Sequence, residues 1–186
     1  MSKYDKIMLD TAQLWAKQSY CKRRQVGCVI AKDNRIISIG YNGTIANTPN
    51  ECEERVVEIK CGNKIIKIPI NEIMKCPIGD NKYRIEKSCN GKIYTYDIEF
   101  LNKRPFVTNE FTLHAEQNAL MFCAKEGISV KDCTMYITHS PCKQCSKLIA
   151  QSGIKRVVYA KEYRDTDGIK LLKDIGIEIE HYINEI

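Results

Sequence analysis

Apolar positions recur at three- and four-residue steps over residues 4–19, where Tyr4, Ile7, Met8, Ala12, Trp15 and Ala16 fall on one face of a predicted helix. Ser2 and Asp5 ahead of it resemble a capping box, with Asp in the place that Glu or Gln more often takes. The period then drops to two. Residues 25–31 and 35–41 are rich in β-branched side chains and flank Lys32-Asp33-Asn34, which reads as a tight hairpin. Residues 41–44 leave the second strand as a loop. From residue 114 the pattern alternates: a helix over 114–125 closed by Gly127, a strand over 133–138, and a helix over 142–151 ending at Ser152-Gly153. A strand over 155–160, a helix over 167–174 ending near Gly176 and a strand over 177–182 follow. Strands alternating with short helices predict a layered α/β domain whose helices cover the sheet.

Residues 50–108 break that rhythm. They carry Cys52, Cys61, Cys76 and Cys89, and Asn90-Gly91 lies between β-forming runs at 84–88 and 92–96, a strong hairpin signal. The region reads as an insertion, part hairpin and part loop, in a single domain spanning residues 1–186.

Composition narrows the class. With 44% hydrophobic and 28% charged residues, 186 positions suit one globular domain with a sizeable core. No apolar run reaches bilayer length, and Met1-Ser2-Lys3-Tyr4-Asp5 has no apolar signal core, which points to the cytoplasm. In a reducing compartment ten cysteines imply metal ligation or burial rather than disulfides. A net charge of +6 suits anionic partners such as nucleotides. The Lys and Arg residues are interleaved with acids, so they read as a solvated surface and not as a polynucleotide-binding face.

The candidate chemistry lies in two short segments, His114-Ala115-Glu116 and Pro141-Cys142-Lys143-Gln144-Cys145. One His and two Cys at helix starts supply three zinc ligands and leave the fourth position for water, as catalytic zinc needs. Helix N-termini favour the thiolate forms that zinc binds. Glu116, two residues past the His, can project beside the metal without ligating it and carry protons between zinc-bound water and a substrate. A Cys-x-x-Cys pair alone is often structural zinc or redox chemistry, and a lone His-x-Glu arises by chance; their combination, with Pro141, selects the catalytic reading. His139, at a strand end, reads as a rim or packing residue rather than a ligand.

This order matches the pattern of zinc nucleobase deaminases. The chain further resembles the zinc-dependent deoxycytidylate (dCMP) deaminases of phage and bacterial type, through Val26-Gly27-Cys28-Val29-Ile30, Gly40-Tyr41-Asn42-Gly43, His114-Ala115-Glu116-Gln117-Asn118-Ala119, Thr138-His139-Ser140-Pro141-Cys142 and Ile149-Ala150-Gln151-Ser152-Gly153-Ile154-Lys155. The resemblance implies a cytidine deaminase-like three-layer α/β/α fold with a central mixed sheet of about five strands. It implies conversion of dCMP to dUMP and ammonia, feeding thymidylate synthesis. Asn42 inherits contact with the substrate sugar or phosphate, with Gly43 and Thr44 beside the phosphate; a structural turn is the other reading of Asn42-Gly43. Arg23 is similar to a phosphate-binding Arg of bacterial members, or is a solvated surface residue. Ala115 and Ser140 join the substrate-contacting residues, and Tyr159 or Tyr163 packs against the base or serves as an ordinary core or surface tyrosine.

The family is also oligomeric, often hexameric, activated by dCTP and inhibited by dTTP with Mg2+. Lys125 stands where phage members carry an Arg near a subunit contact, which keeps the charge and loses the bidentate fork. Phage members hold a second, structural zinc through histidines upstream of the catalytic helix. This chain has no histidine before His114, so Cys52, Cys61, Cys76 and Cys89, with Cys21, form a replacement site or are buried free thiols. Alternatives to the leading reading are deamination of dCTP, alone or with dCMP, and deamination of cytosine or adenine within nucleic acid. A non-catalytic zinc scaffold sits poorly with an intact Glu116.

Overall fold

A computed structural model describes residues 2–61, 64–69, 77–79, 82–89, 92–99 and 106–183. In chain order the elements are α1 (Asp5–Ala16), β1 (Gly27–Lys32), β2 (Arg35–Tyr41), β3 (Gly43–Thr44), β4 (Glu53–Cys61), β5 (Lys64–Pro69), β6 (Pro77–Gly79), β7 (Lys82–Cys89), β8 (Lys92–Glu99), β9 (Phe106–Thr108), β10 (Thr112–Leu113), α2 (Ala115–Lys125), β11 (Thr134–His139), α3 (Lys143–Ser152), β12 (Arg156–Lys161), α4 (Asp167–Asp174) and β13 (Glu178–His181). They fall into two compact units: Met1–Cys52 with Phe111–Ile186, and Glu53–Glu110.

The first unit is built on a five-stranded mixed sheet in the order β13-β12-β11-β1-β2. β1 runs antiparallel to both its neighbours, and β11, β12 and β13 run parallel to one another. Alternation along each strand sorts the side chains into two layers. Cys28, Ile30, Met135, Ile137 and Val157 pack under Ala119, Leu120 and Cys123 of α2, Ile149 of α3 and Leu172 of α4. Val29, Ala31, Tyr136 and Val158 face Met8, Leu9 and Ala12 of α1. The result is the expected three-layer α/β/α arrangement. The β1–β2 turn takes left-handed φ values at Asp33 (49°) and Asn34 (62°), as a two-residue hairpin of matching twist requires.

From residue 114 onward each element lies within a residue of its expected bounds. Three expectations nearer the N-terminus need correction. The first strand begins at Gly27 rather than at residue 25, because both backbone groups of Val26 are taken by Asn42: its N–H donates to Asn42 Oδ1 at 2.7 Å, and its carbonyl accepts the Asn42 N–H at 3.1 Å. Gly43 and Thr44 are not plain loop. They pair with Leu113 and Thr112, which satisfies backbone groups on the stretch leading into His114.

The first helix also ends early, at Ala16, and its buried face is rotated from the one the pattern suggests. Asp5, Met8, Leu9, Ala12 and Ala16 are buried, whereas Ile7 is 59% exposed. Asp5 turns the face inward. Arg156 of β12 donates to its two carboxylate oxygens at 2.9 and 2.8 Å, Tyr136 donates a third bond at 3.1 Å, and the Ser2 N–H adds a fourth at 2.6 Å. Arg156 also donates to Glu180 at 2.7 Å.

In the second unit, β4 pairs antiparallel with β5 and β9, and β7 pairs with β6 and β8. The β7–β8 register closes at Cys89 opposite Lys92, so the ladder spans the expected hairpin; Asn90-Gly91 lies outside the described residues. Among the described residues no helix is long and apolar enough to cross a membrane.

Burial pushes the Asp5 carboxyl up, but its bonds to Arg156, the Ser2 N–H and Tyr136 outweigh that, and it is held below the ordinary 3.8. Its contribution is therefore complete above the unfolded value and is lost as pH falls through the lower folded one. Asp5→Asn should cost about 3 kcal/mol at pH 7 in urea unfolding. The gap to wild type should shrink below about pH 4; a gap as wide at pH 3 as at pH 7 would refute the ion-pair account.

Candidate active site

Two helix starts meet above the sheet. His114 is the N-cap of α2 and Cys142 the N-cap of α3, both with extended backbone, and Cys145 lies in the first turn of α3. His114 Nδ1 is 3.5 Å from Cys142 Sγ and 3.3 Å from Cys145 Sγ. Tetrahedral zinc with ordinary Zn–N and Zn–S bonds places such donors about 3.6 Å apart. The three donor atoms all lie within 4.8 Å of one another, so the set fits one zinc ion. It is the one such cluster among the described residues.

The cluster shares its protons unevenly. A hydrogen bond from Cys145, with His114 adding to it, overrides burial and lowers the Cys142 thiol to about 3. Cys145 is pushed far up by the Cys142 thiolate and by burial. His114 is raised by its bond to Cys142. A metal cation would displace those protons and take all three lone pairs.

The surrounding chain fixes the helix starts. The His114 N–H donates to Gln117 Oε1 at 2.7 Å, and Asn118 Nδ2 donates to the Tyr41 carbonyl at 2.6 Å, tying α2 to the end of β2. Gly40 lets the helix sit directly on that strand, since a Cβ there would lie 2.3 Å from the Ala115 carbonyl oxygen. Gly168 does the same between α4 and α3: its Cβ would fall 2.1 Å from the Pro141 carbonyl oxygen. Glu116 is 4% exposed beside the three donors. Burial raises its carboxyl and the Cys142 charge adds to that rise, against its own N–H and His114. A carboxyl so raised moves toward the range in which it both takes and gives a proton.

The other candidate residues divide. Ala115 is fully buried in the first turn of α2. Asn42 uses both ends of its amide on the neighbouring loop, Oδ1 accepting from Val26 and Nδ2 donating to the Arg24 carbonyl at 2.8 Å. Ser140 is buried; its Oγ accepts the Tyr163 N–H at 2.8 Å and its N–H donates to the Lys161 carbonyl at 2.8 Å. Tyr163 therefore joins the loop that leads into Cys142. Tyr159 lies apart from it, buried and stacked on His181 of β13 at 4.7 Å. Thr44 Oγ1 donates to Asn50 Oδ1 at 3.3 Å, and a Cβ on Gly43 would meet open space. Arg23 is exposed.

Cys21 and Cys52 are both buried, Cys21 with its thiol 3.7 Å from the Asn42 carbonyl. Cys76 and the side chains of Cys61 and Cys89 lie outside the described residues. His139 is not one of the three clustered donors; burial, then the charges of Arg24 and Lys161, lower it to about 4.

The sequence family described as the cytidine and deoxycytidylate deaminase zinc-binding region matches residues 1–161, which include every residue of this cluster. The chain belongs to this family. The deoxycytidylate deaminase of Enterobacteria phage T4 is 34% identical over 174 residues, 92% of this chain and 86% of that one. The deoxycytidylate deaminase of Mycobacterium phage D29 is 33% identical, covering 86% of this chain and 95% of its own. The crystal structure of dCMP deaminase from the cyanophage S-TIM5, in complex with dCMP and dUMP, superposes with a TM-score of 0.64 at 32% identity over 98% of this chain and 99% of that one.

Sequence reasoning passed over Arg24. Its guanidinium lies over the Tyr163 ring, 4.8 Å from the centroid. The neighbouring Arg23 drew attention by resemblance, and no local pattern announces a partner 139 positions away (163 − 24).

Replacing Cys145 with Ser removes a thiolate from the first turn of α3 and should strip the site of zinc. Metal analysis after dialysis against a weak chelator should find the wild type loaded and the variant depleted at least tenfold, on the order of what one lost ligand costs. Equal retention by the two would exclude Cys145 as a ligand.

Proposed function

We propose that this protein hydrolytically deaminates dCMP to dUMP and ammonia, supplying dUMP for thymidylate synthesis. The carrying observation is the convergence of His114, Cys142 and Cys145 beside buried Glu116. It occurs in a chain similar along nearly its whole length to a dCMP deaminase solved with dCMP and dUMP.

His114, Cys142 and Cys145 hold the metal. Zinc, when bound there, makes a nucleophile available from water at neutral pH. Glu116 moves the protons. Its carboxylate takes one from the attacking water and delivers it to N3 of the cytosine ring as C4 becomes tetrahedral. It then takes the remaining proton of the new C4–O–H group and delivers it to the 4-amino group, which leaves as ammonia as the C4–N bond breaks and the C4 carbonyl forms. Burial suits Glu116 to this work by keeping bulk water from competing for the proton. Asn42 holds the loop from Arg24 to Val26 beside Gly43 and Thr44, the segment this reading assigns to the sugar and phosphate.

The same reading treats residues 1–186 as one deaminase domain with the region 50–108 inserted. It includes a homo-oligomer, hexameric by resemblance, and control by dCTP and dTTP with Mg2+. A second, structural zinc held by Cys21 and the cysteines of the insertion is part of it too, and a metal-to-chain ratio of two would support that site where a ratio of one would remove it.

Ammonia release from dCMP, dCTP, cytidine and a cytosine-containing oligonucleotide should be fastest with dCMP. Turnover confined to the oligonucleotide would overturn the assignment. Glu116→Gln should keep its zinc and lose activity by roughly 100-fold or more. Full activity in that variant would remove Glu116 from the mechanism.

A further inference from the structure

Of the three histidines in the chain, His114 belongs to the donor cluster and His181 stacks on Tyr159, which leaves His139 without a role. It is the last residue of β11. Along that strand Met135 and Ile137 pack into the layer beneath α2 and α3, and Tyr136 into the layer beneath α1. Alternation therefore turns residue 139 toward the face whose helix starts carry the three donors. Open α/β sheets receive their ligands outside the carboxyl ends of parallel strands. His139 stands at such an end, in parallel register with Lys161 of β12 and three residues before Cys142.

The ring is also held in one tautomer. The Gly27 N–H donates to Thr138 Oγ1 at 3.1 Å, and the same oxygen lies 3.2 Å from His139 Nδ1. Thr138 is 1% exposed, and no other group among the described residues accepts its proton. A buried hydroxyl needs an acceptor, so Thr138 donates to Nδ1, and the proton of the neutral ring sits on Nε2. Burial, with the charges of Arg24 and Lys161, keeps the ring neutral at pH 7. Among the described residues nothing accepts from Nε2.

We propose that His139 is a specificity-determining residue whose Nε2–H donates to the 2-carbonyl oxygen of the pyrimidine. The inference rests on the dCMP reading and adds to it a group that reads the base. The proton chemistry leaves one acceptor on the ring. C4, N3 and the 4-amino group are taken up by the reaction at the metal and Glu116, and the C5–C6 edge carries no lone pair. An uncharged donor suits an uncharged carbonyl, since no ion has to give up its solvation. The bond to Thr138 orients the imidazole before substrate arrives, so little side-chain freedom is lost on binding.

Nitrogen-15 NMR of the histidine side chains in the zinc-loaded protein reads the tautomer directly. His139 should carry its proton on Nε2 at pH 7, and that signal should move when dUMP binds. Calorimetric titration with dUMP and 2-thio-dUMP tests the acceptor, because sulfur at position 2 is a poor one. Wild type should prefer dUMP, and His139→Leu should narrow the preference by roughly 3- to 10-fold, the range of one neutral hydrogen bond. His139→Gln, whose amide still donates, should recover part of it. A proton on Nδ1, or a preference unchanged in His139→Leu, would overturn the proposal. Equal weakening of both ligands would overturn it too, marking a packing role. A wild type that shows the tautomer and the preference but fails to turn over dCMP would instead overturn the proposed function. Zinc content and melting temperature, measured on each variant, exclude misfolding as the cause.

Discussion

Three soft donor atoms must lie about 3.6 Å from one another if a single zinc ion is to be held by them, and most of the first unit can be read as the means of meeting that condition. The donors come from two helix starts 28 residues apart in sequence (142 − 114). Each helix has to arrive at the sheet at a set height and angle. Antiparallel pairing of β1 with β11 and parallel pairing of β11 with β12 bring the ends of these strands together. Close approaches at Gly40 and Gly168 then bring the helices down to backbone contact. Side chains at either glycine would lift a helix by more than the tolerance of a metal bond.

The polar loop network extends the same logic outward. Asn118 ties α2 to the end of β2, Asn42 ties that end to the loop at Arg24, and Ser140 ties the loop before Cys142 to Tyr163. Each is a side-chain bond to backbone, which fixes a loop without needing regular structure. The helix starts that carry the three donors and the loops around them are therefore held by side-chain bonds to backbone.

How much of this was legible in the sequence depended on range. The helix starts, the turns and the ligand set could be read locally, because caps, glycines and the His-x-Glu and Cys-x-x-Cys spacings act within a few residues. The α/β/α layering followed from alternation, confirmed by the opposite burial of Val157 and Val158 on the two faces. The buried face of α1 was misread because Asp5 looks like a surface residue until Arg156 is placed beside it. The bonds of the Asn42 amide to the backbone of Val26 and Arg24 were likewise not legible from the Asn-Gly pair alone. In each case the deciding partner came from another element.

The bond between Asp5 and Arg156 also bears on how the chain reaches its fold. Its two residues are 151 positions apart. Until β12 has formed, the carboxylate that belongs inside α1 has no cation to meet, and burying it unpaired would cost more than the apolar contacts of Met8 and Leu9 return. The seating of α1 through this ion pair is therefore tied to the formation of β12, 151 positions away along the chain.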